Sequence, residues 1–449
     1  MEILKTIPYS EFYMWDVKRM SKETLKYQYS TISLMEVLSK ANVEWEEIND
    51  RKEYPILGVR AQGKGVYINR IAKGNELTMR KYQKSIPYSL FYCKVRTVKG
   101  QWGIVYPQFS NSYGSSNMTY LNIDREKISL EYFELLLKVN KITDNWDKNA
   151  VGADGRHFPL KTLLSLKIPL PPLAEQKRIV ANYNTKIQLA NKQKQKAKQL
   201  EHDIENYLFE VLGIEKLEEK ENVKGLQFVD FQNTSRWDTL FLISSIPKLK
   251  AKYEIQKFSD VISVFNKGYN KESIRINSTN YPDDVFHFIG MKHIEKETGK
   301  LLELKKVKGK EIKSQTLRVP KGFLLYGKLR PYLNKYWINE TNYDNIICSS
   351  EFFVFNINEC INKYYFLNVL SSKFIQSQIS DKTSGARMPR INEEIFFNLQ
   401  FPLPPLEKQI QIANHILTLK QQIKDLQYQA KDNRNKAIQE FEEEIFTKV

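Results

Sequence analysis

The chain has 449 residues, with 69 Lys+Arg against 52 Asp+Glu and a formal net charge of +17. At about 150 residues per domain this length allows roughly three folding units. An aromatic fraction of 12% excludes a disordered polymer. No run of about 18 apolar residues exists, which excludes a membrane-spanning helix. The N-terminal stretch, MEILKTIPYSEFYMWDVKRM, has neither an apolar h-region nor a small-residue cleavage site. Cys93, Cys348 and Cys360 stand far apart and form no CxxC, so a zinc ribbon is not expected. A reducing cytoplasm is the expected compartment.

In chain order, residues 1–172 read as a mixed segment of short strands and turns, closing on a helical pattern, SLEYFELLLKV (129–139). PLPPL follows at Pro169–Leu173, and its prolines interrupt helix upstream and suit a first helical turn downstream. A long polar helix is predicted over 173–212. Ile179, Tyr183, Ile187, Ala190, Ala197, Ile204, Leu208 and Val211 recur at steps of three, four or seven. Lys194 and Glu201 fall where this seam calls for core residues. Residues 213–235, with IEKLEEKENVKG, read as an exposed connector. A second mixed segment spans 236–405, with VFHFIGMKHI and GFLLYGKLRPYL as strand-like runs and NKYYFLNVLSS as the helical pattern. A second long helix, 406–449, carries Ile412, Ile416, Leu419, Ile423, Leu426, Ala430, Ala437, Phe441 and Ile445 on its seam.

The chain therefore repeats once. PLPPL recurs at Pro402–Leu406, so that Pro169 maps onto Pro402. At the same lag Gln176 falls on Gln409, Ile179 on Ile412, Gly152 on Gly385 and Tyr132-Phe133 on Tyr365-Phe366. With slight slippage Lys94-Val-Arg96 matches Lys328-Leu-Arg330, and at a shorter lag Trp15-Asp16 pairs with Trp237-Asp238. A lag of half the chain means two tandem globular modules and not a solenoid.

Catalytic motifs are missing from both modules. Gln62-Gly-Lys-Gly65 satisfies neither phosphate-binding glycine pattern. PLPPL lacks the polar first residue and aromatic last residue of an amino-methyltransferase tetrapeptide. Pro282-Asp283 with Glu303-Leu-Lys305 imitates a nuclease motif but has no counterpart in the first module. His157, His287 and His293 have no carboxylate at a motif spacing, so core packing or a solvated surface is the expected role of each. No catalytic residue and no metal site is expected.

The excess of positive charge calls for an anionic partner, and nucleic acid is the first candidate. In the second module Lys328, Arg330, Tyr332, Asn334 and Lys335 alternate cations with an aromatic and an amide. Lys and Arg neutralise phosphates, and Arg and Asn can also bind base edges bidentately. Arg387 and Arg390 lie on a Gly/Pro loop. The first module offers Lys94, Arg96, Lys99 and Arg156 at matching places. These residues of both modules are the expected DNA contacts. Gln176, Ile179 and Ile187 on the first long helix, with Gln409, Ile412 and Ile416 on the second, are the expected spacer and partner-helix positions.

This arrangement resembles the specificity subunit of type I restriction–modification systems. The resemblance rests on the twice-used PLPPLxxQ followed by a helix, on YGKLRPYLNK at Tyr326–Lys335 and on SSEFF at Ser349–Phe353. It implies an α+β chain with two target-recognition domains, each followed by a conserved long helix. The two helices would form an antiparallel coiled coil with pseudo-twofold symmetry. It further implies double-stranded DNA as ligand, two methyltransferase subunits and restriction subunits as partners, and no catalysis in this chain. S-adenosylmethionine, ATP and magnesium would belong to those partners. Three other readings fit parts of the sequence: a specificity component of a multisubunit type II enzyme, a coiled-coil or RNA-binding adaptor, and a cryptic enzyme.

Under the resemblance, helix length acts as a ruler, with about 1.5 Å of rise per residue set against about 3.4 Å per base pair. Inserting four residues near Lys192 is expected to change the gap of a bipartite target by one or two base pairs. Methylome sequencing of cells expressing the variant checks this; a well-folded variant with an unchanged gap counts against the ruler.

Overall fold

The computed structural model describes residues 25–61, 63–94, 100–147, 159–215, 249–265, 275–380 and 388–447. They form two compact units. The first comprises Met1–Lys194 and Gln427–Val449, and the second Gln195–Leu426.

In the first unit the strands are β1 (Thr31–Ser33), β2 (Leu38–Lys40), β3 (Trp45–Glu47), β4 (Glu53–Val59), β5 (Val66–Lys73), β6 (Lys81–Lys84), β7 (Ser89–Cys93), β8 (Trp102–Ile104), β9 (Tyr113–Gly114), β10 (Met118–Ile123) and β11 (Lys167–Pro169). Its helices are α1 (Leu130–Lys138), α2 (Asn140–Asp147), α3 (Leu160–Leu164) and the start of α4 (Leu173–Leu212). The strands make three sheets, ordered β1-β11, β2-β10-β7-β8 and β3-β6-β9-β4-β5.

The second unit opens with β12 (Ile255–Lys257), α5 (Phe258–Val261), β13 (Ile262–Phe265), β14 (Arg275–Ile276), β15 (Val285–Ile289) and β16 (Lys305–Lys308). It continues through β17 (Thr316–Arg318), β18 (Leu324–Gly327), β19 (Tyr336–Ile338), β20 (Ile346–Ser349) and β21 (Phe352–Ile357). Then come α6 (Lys363–Ser371), α7 (Lys373–Ser380), α8 (Glu393–Phe397), β22 (Gln400–Pro402) and α9 (Leu406–Ile445). Its sheets are β12-β22, β13-β21-β18-β19 and β14-β17-β20-β15-β16. Among the described residues, each strand of the first unit thus has its counterpart in the second, from β1 with β12 to β11 with β22, in the same sheet order. Even the lone parallel pairing recurs, β4 with β9 and β15 with β20. The duplication read from the sequence is a duplication of topology.

The helical parts repeat because the same local chemistry starts them. Ser129 caps α1, its Oγ accepting Tyr132 N–H at 3.2 Å, and Asn362 caps α6, its Oδ1 accepting Tyr365 N–H at 2.9 Å. Each of these tyrosines begins the buried Tyr-Phe pair of its module. Tyr132 donates its hydroxyl to Pro169 O at 3.1 Å, and Tyr365 to Pro402 O at 2.5 Å. These bonds tie the helix to the strand that ends in the first proline of PLPPL.

Both long helices contribute to each core. In the first unit Ile179 and Val180 of α4 join Phe441 and Ile445 of α9 against α1. In the second, Ile412 and Ala413 of α9 join Leu208 and Leu212 of α4. The repeat maps the first pair of each core onto the first pair of the other, and Leu208 and Leu212 onto Phe441 and Ile445. Within the first unit, Arg178 forks onto Glu444 at 3.0 and 2.5 Å, Lys186 meets Glu440 at 3.1 Å and Gln193 bonds Gln429 at 3.0 Å. The partner numbers fall as those on α4 rise, so the helices run antiparallel there. The seam corrects one expectation: Lys194 and Glu201 are exposed. Half-buried Gln193 and Leu200 take the inward places beside buried Ala190 and Ala197, so two polar residues that seemed to break the pattern do not sit on it. Helix α4 ends at Gly213, whose positive φ of 59° lets Ile214 N–H reach Phe209 O at 2.9 Å. The rest of the predicted connector, like Trp15, Asp16, Trp237 and Asp238, lies outside the described residues.

Candidate nucleic-acid interface

The β18–β19 hairpin of the second unit carries the residues that the sequence marked most densely. Its connection is a rigid tip. Arg330 and Asn334 both adopt the left-handed conformation, with φ of 49° and 45°, and between them Pro331–Leu333 forms one turn of 3-10 helix. Such backbone is costly for arginine, though less so for asparagine, and persists only where its surroundings over-determine it. Here they do. Arg330 N–H donates to Pro389 O at 2.7 Å, and Ile391 N–H returns a bond to Lys328 O at 3.1 Å. On the other side Glu297 N–H is shared between Leu333 O and Asn334 O at 3.3 and 3.1 Å.

Within this tip the expected contacts separate into two groups. Arg330 is exposed, and Tyr332 stands at the apex with 58% of its surface free. Asn334 is turned inward: it is 5% exposed and its Nδ2 donates to Ser371 O at 2.7 Å, which anchors the second left-handed residue. Lys335 likewise turns inward, its Nζ donating to Met291 O at 2.6 Å, and burial pushes its pKa down. Lys328 is half-buried with Nζ 5.0 Å from the centre of the Phe353 ring, and desolvation lowers its pKa as well. These three residues shape the tip, and Arg330 and Tyr332 are what it presents. Arg390 is also presented, paired with Glu351 at 3.0 and 3.1 Å.

In the first unit Lys94 occupies the place of Lys328. Lys94 N–H donates to Asn117 O at 2.9 Å, as Lys328 N–H does to Glu351 O at 2.8 Å, and the Lys94 side chain is exposed. Arg96, Lys99, Arg156 and Arg387 lie outside the described residues.

Of the expected helix positions, Gln176 and Gln409 turn out to be joints of the fold. Gln176 Oε1 accepts Ser129 N–H at 2.8 Å, while its Nε2 donates to Lys127 O and Pro171 O, both at 2.9 Å. Gln409 Oε1 accepts Asn362 N–H at 2.9 Å and its Nε2 donates to Pro404 O at 2.8 Å. Ile179, Ile412 and Ile416 are core residues and Ile187 is half-buried.

Sequence reasoning missed two features. One is Glu351, a carboxylate inside a basic loop system. The other is the edge strand β16, where Lys305, Lys306 and Lys308 are exposed and, among the described residues, lie within ion-pair distance of no carboxylate. In the corresponding sheet of the first unit, lysines near the opposite edge strand β3 are paired instead, Lys52, Lys81 and Lys84 with Glu46, Glu47 and Glu44 at 2.6, 2.8 and 2.7 Å. A run of lysines interrupted by one buried valine, KKVK, was the available signal for β16.

Among the described residues no cluster of His, Cys, Asp or Glu could hold a metal ion, and no helix is long and apolar enough to cross a membrane. Residues 30–202 and 250–432 match the family model described as the type I restriction modification DNA specificity domain. The chain belongs to this specificity family. Each of the two matches begins just before the first strand of a unit and ends inside a long helix, so one family domain corresponds to one copy of the repeat. A curated member, the type I restriction enzyme EcoDI specificity subunit of Escherichia coli, is 21% identical over 317 residues. That match covers 69% of this chain and 66% of the relative's own length. A solved chain from a study of complex assembly and conformational transition of the type I R-M system shares the fold at a TM-score of 0.56 and 15% identity. The alignment covers 94% of this chain and 97% of the other. The HsdS subunit from Thermoanaerobacter tengcongensis aligns at a TM-score of 0.45 and 15% identity over 93% of this chain and 96% of its own.

Proposed function

We propose that this chain is the DNA-recognition subunit of a type I restriction–modification complex and that it reads a bipartite target. The observation that carries the reading is one fold built twice with different rims. The strand orders are identical, yet the loop that presents Arg330 and Tyr332 in the second unit is FYCKVRTVKG in the first. Two copies of one scaffold with dissimilar loops suit two different half-sites. Residues 1–172 and 236–405 would be the readers, and 173–212 and 406–449 the helices that meet the partners. Those partners are two methyltransferase subunits, supplying S-adenosylmethionine-dependent methylation of adenine, and restriction subunits using ATP and magnesium. The chain itself contributes recognition in the cytoplasm and no chemistry. Since a methyltransferase must take its adenine out of the stack, a rigid tip such as 330–334 serves to hold the duplex meanwhile.

Co-expression of the full chain with its methyltransferase, followed by methylome sequencing, tests the reading: a split motif with a fixed gap is expected. Arg330→Ala is expected to lose about 1–3 kcal/mol of affinity for one half-site only. Equal weakening on scrambled duplexes, measured by fluorescence anisotropy, would reduce Arg330 to a phosphate contact.

A further inference from the structure

On the recognition reading above, we propose that Arg390 reads a guanine of the target and that Glu351 is the residue that positions it. The guanidinium is held from its side. Arg390 Nε donates to Glu351 Oε2 at 3.1 Å and Nη2 to Oε1 at 3.0 Å. A carboxylate on that edge leaves the end-on edge free, with one N–H of Nη1 and one of Nη2 lying parallel. Two parallel donors match the O6 and N7 acceptors that guanine shows in the major groove.

Both members of the pair are fixed through their backbones. Arg390 forms an isolated antiparallel bridge with Leu329, next to the two bonds that clasp the Arg330 tip. Glu351 sits in the short link between β20 and β21, where its carbonyl accepts Lys328 N–H at 2.8 Å and its own N–H reaches Ser349 Oγ at 3.3 Å. The arginine side chain remains 47% exposed.

The fold does not require this carboxylate. Asn117 stands at the same place in the first unit and supports Lys94 through the same backbone bond. An exposed ion pair contributes little to stability, and a carboxylate beside a phosphate backbone opposes non-specific attraction. What the carboxylate supplies is direction. A freely rotating arginine takes any phosphate, whereas one with its side edge occupied offers a single bidentate face.

The test uses the purified full-length chain in competition anisotropy, with the duplex identified by methylome sequencing and with duplexes scrambled in one half-site. Glu351→Gln should bind scrambled DNA at least as tightly as wild type while losing about tenfold in discrimination at one half-site. Arg390→Lys, which keeps the charge without the fork, should lose discrimination to the same extent. Replacing guanines of that half-site one at a time by 7-deazaguanine should find a single position that matters to wild type and not to Glu351→Gln. Unchanged discrimination in either variant overturns the proposal, as does equal weakening on every duplex or a half-site without a G·C pair. A wild-type chain that fails to discriminate among duplexes overturns the recognition reading itself, and that outcome needs no variant.

Discussion

Gln409→Leu is expected to destabilise the second unit by about 3 kcal/mol, and Gln176→Leu the first unit by a similar amount. Leucine fits the space but leaves several buried or partly buried polar groups without partners. At position 409 these are Asn362 N–H and Pro404 O, and at position 176 they are Ser129 N–H, Lys127 O and Pro171 O. Each orphaned group costs about 1–3 kcal/mol when water cannot reach it, and these sites are closed: Gln176 is 0% exposed and Gln409 2%. The N–H groups lost are those of the two N-cap residues, so the α1 and α6 starts should fray as well. Urea denaturation followed by circular dichroism checks the magnitude. The exposed Gln188→Leu serves as control and should stay within about 0.5 kcal/mol of wild type. A buried-glutamine variant as stable as that control would remove the joint from the account.

The same glutamines show what the sequence could and could not disclose. From α1 onward a single lag maps one module onto the other, Tyr132 onto Tyr365, Pro169 onto Pro402 and Gln176 onto Gln409. Helices packed on a common core tolerate no length change. The helical pattern, PLPPL and the glutamine just beyond it were therefore visible as a repeat. The first part of each module is different. Thr31 of β1 corresponds to Ile255 of β12 at a shorter lag, and Lys94 corresponds to Lys328 at a slightly longer one. Loops between short strands absorb the difference, and strands as short as β9 and β14 carry no periodicity to read. At the candidate interface, composition marked the hairpin but not which of its side chains face outward. A lysine bonded to a carbonyl, like Lys335, and a buried asparagine, like Asn334, are indistinguishable in sequence from exposed ones. Glu351 lies within the SSEFF motif, yet an acid whose task is to orient an arginine has neither metal nor acid–base spacing to mark that role.

Gly309→Ala is expected to cost about 3 kcal/mol or more, beyond the usual effect of one added methyl group. An added Cβ at this position would lie 2.0 Å from Tyr281 O and 2.3 Å from Ser278 O, both main-chain atoms that cannot swing aside. The crowding follows from the way β16 ends. The chain turns into a short 3-10 segment whose first N–H groups bond back to the loop before β15, Gly309 to Asp284 O at 3.0 Å and Lys310 to Pro282 O at 3.1 Å. The first unit uses the same device. Gly74 N–H donates to Lys52 O at 3.0 Å and Asn75 N–H to Asp50 O at 3.4 Å, and a Cβ on Gly74 would lie 2.1 Å from Asn49 O. These glycines stand slightly further apart than the helical landmarks, so a search at one fixed lag passes over them, yet they make one prediction twice. Gly74→Ala and Gly309→Ala should each lower the melting temperature by roughly 6–12 °C, taking about 2–4 °C per kcal/mol for units of this size. Gly65, which ends the β4–β5 connection opposite Arg60, is the internal contrast. No atom lies within 4 Å of a Cβ built there, so only its positive φ of 87° resists substitution. Gly65→Asn, which tolerates the left-handed region better than most side chains, should therefore cost much less than either alanine variant. If Gly309→Ala melts with the wild type, the turn is looser than its carbonyl geometry requires.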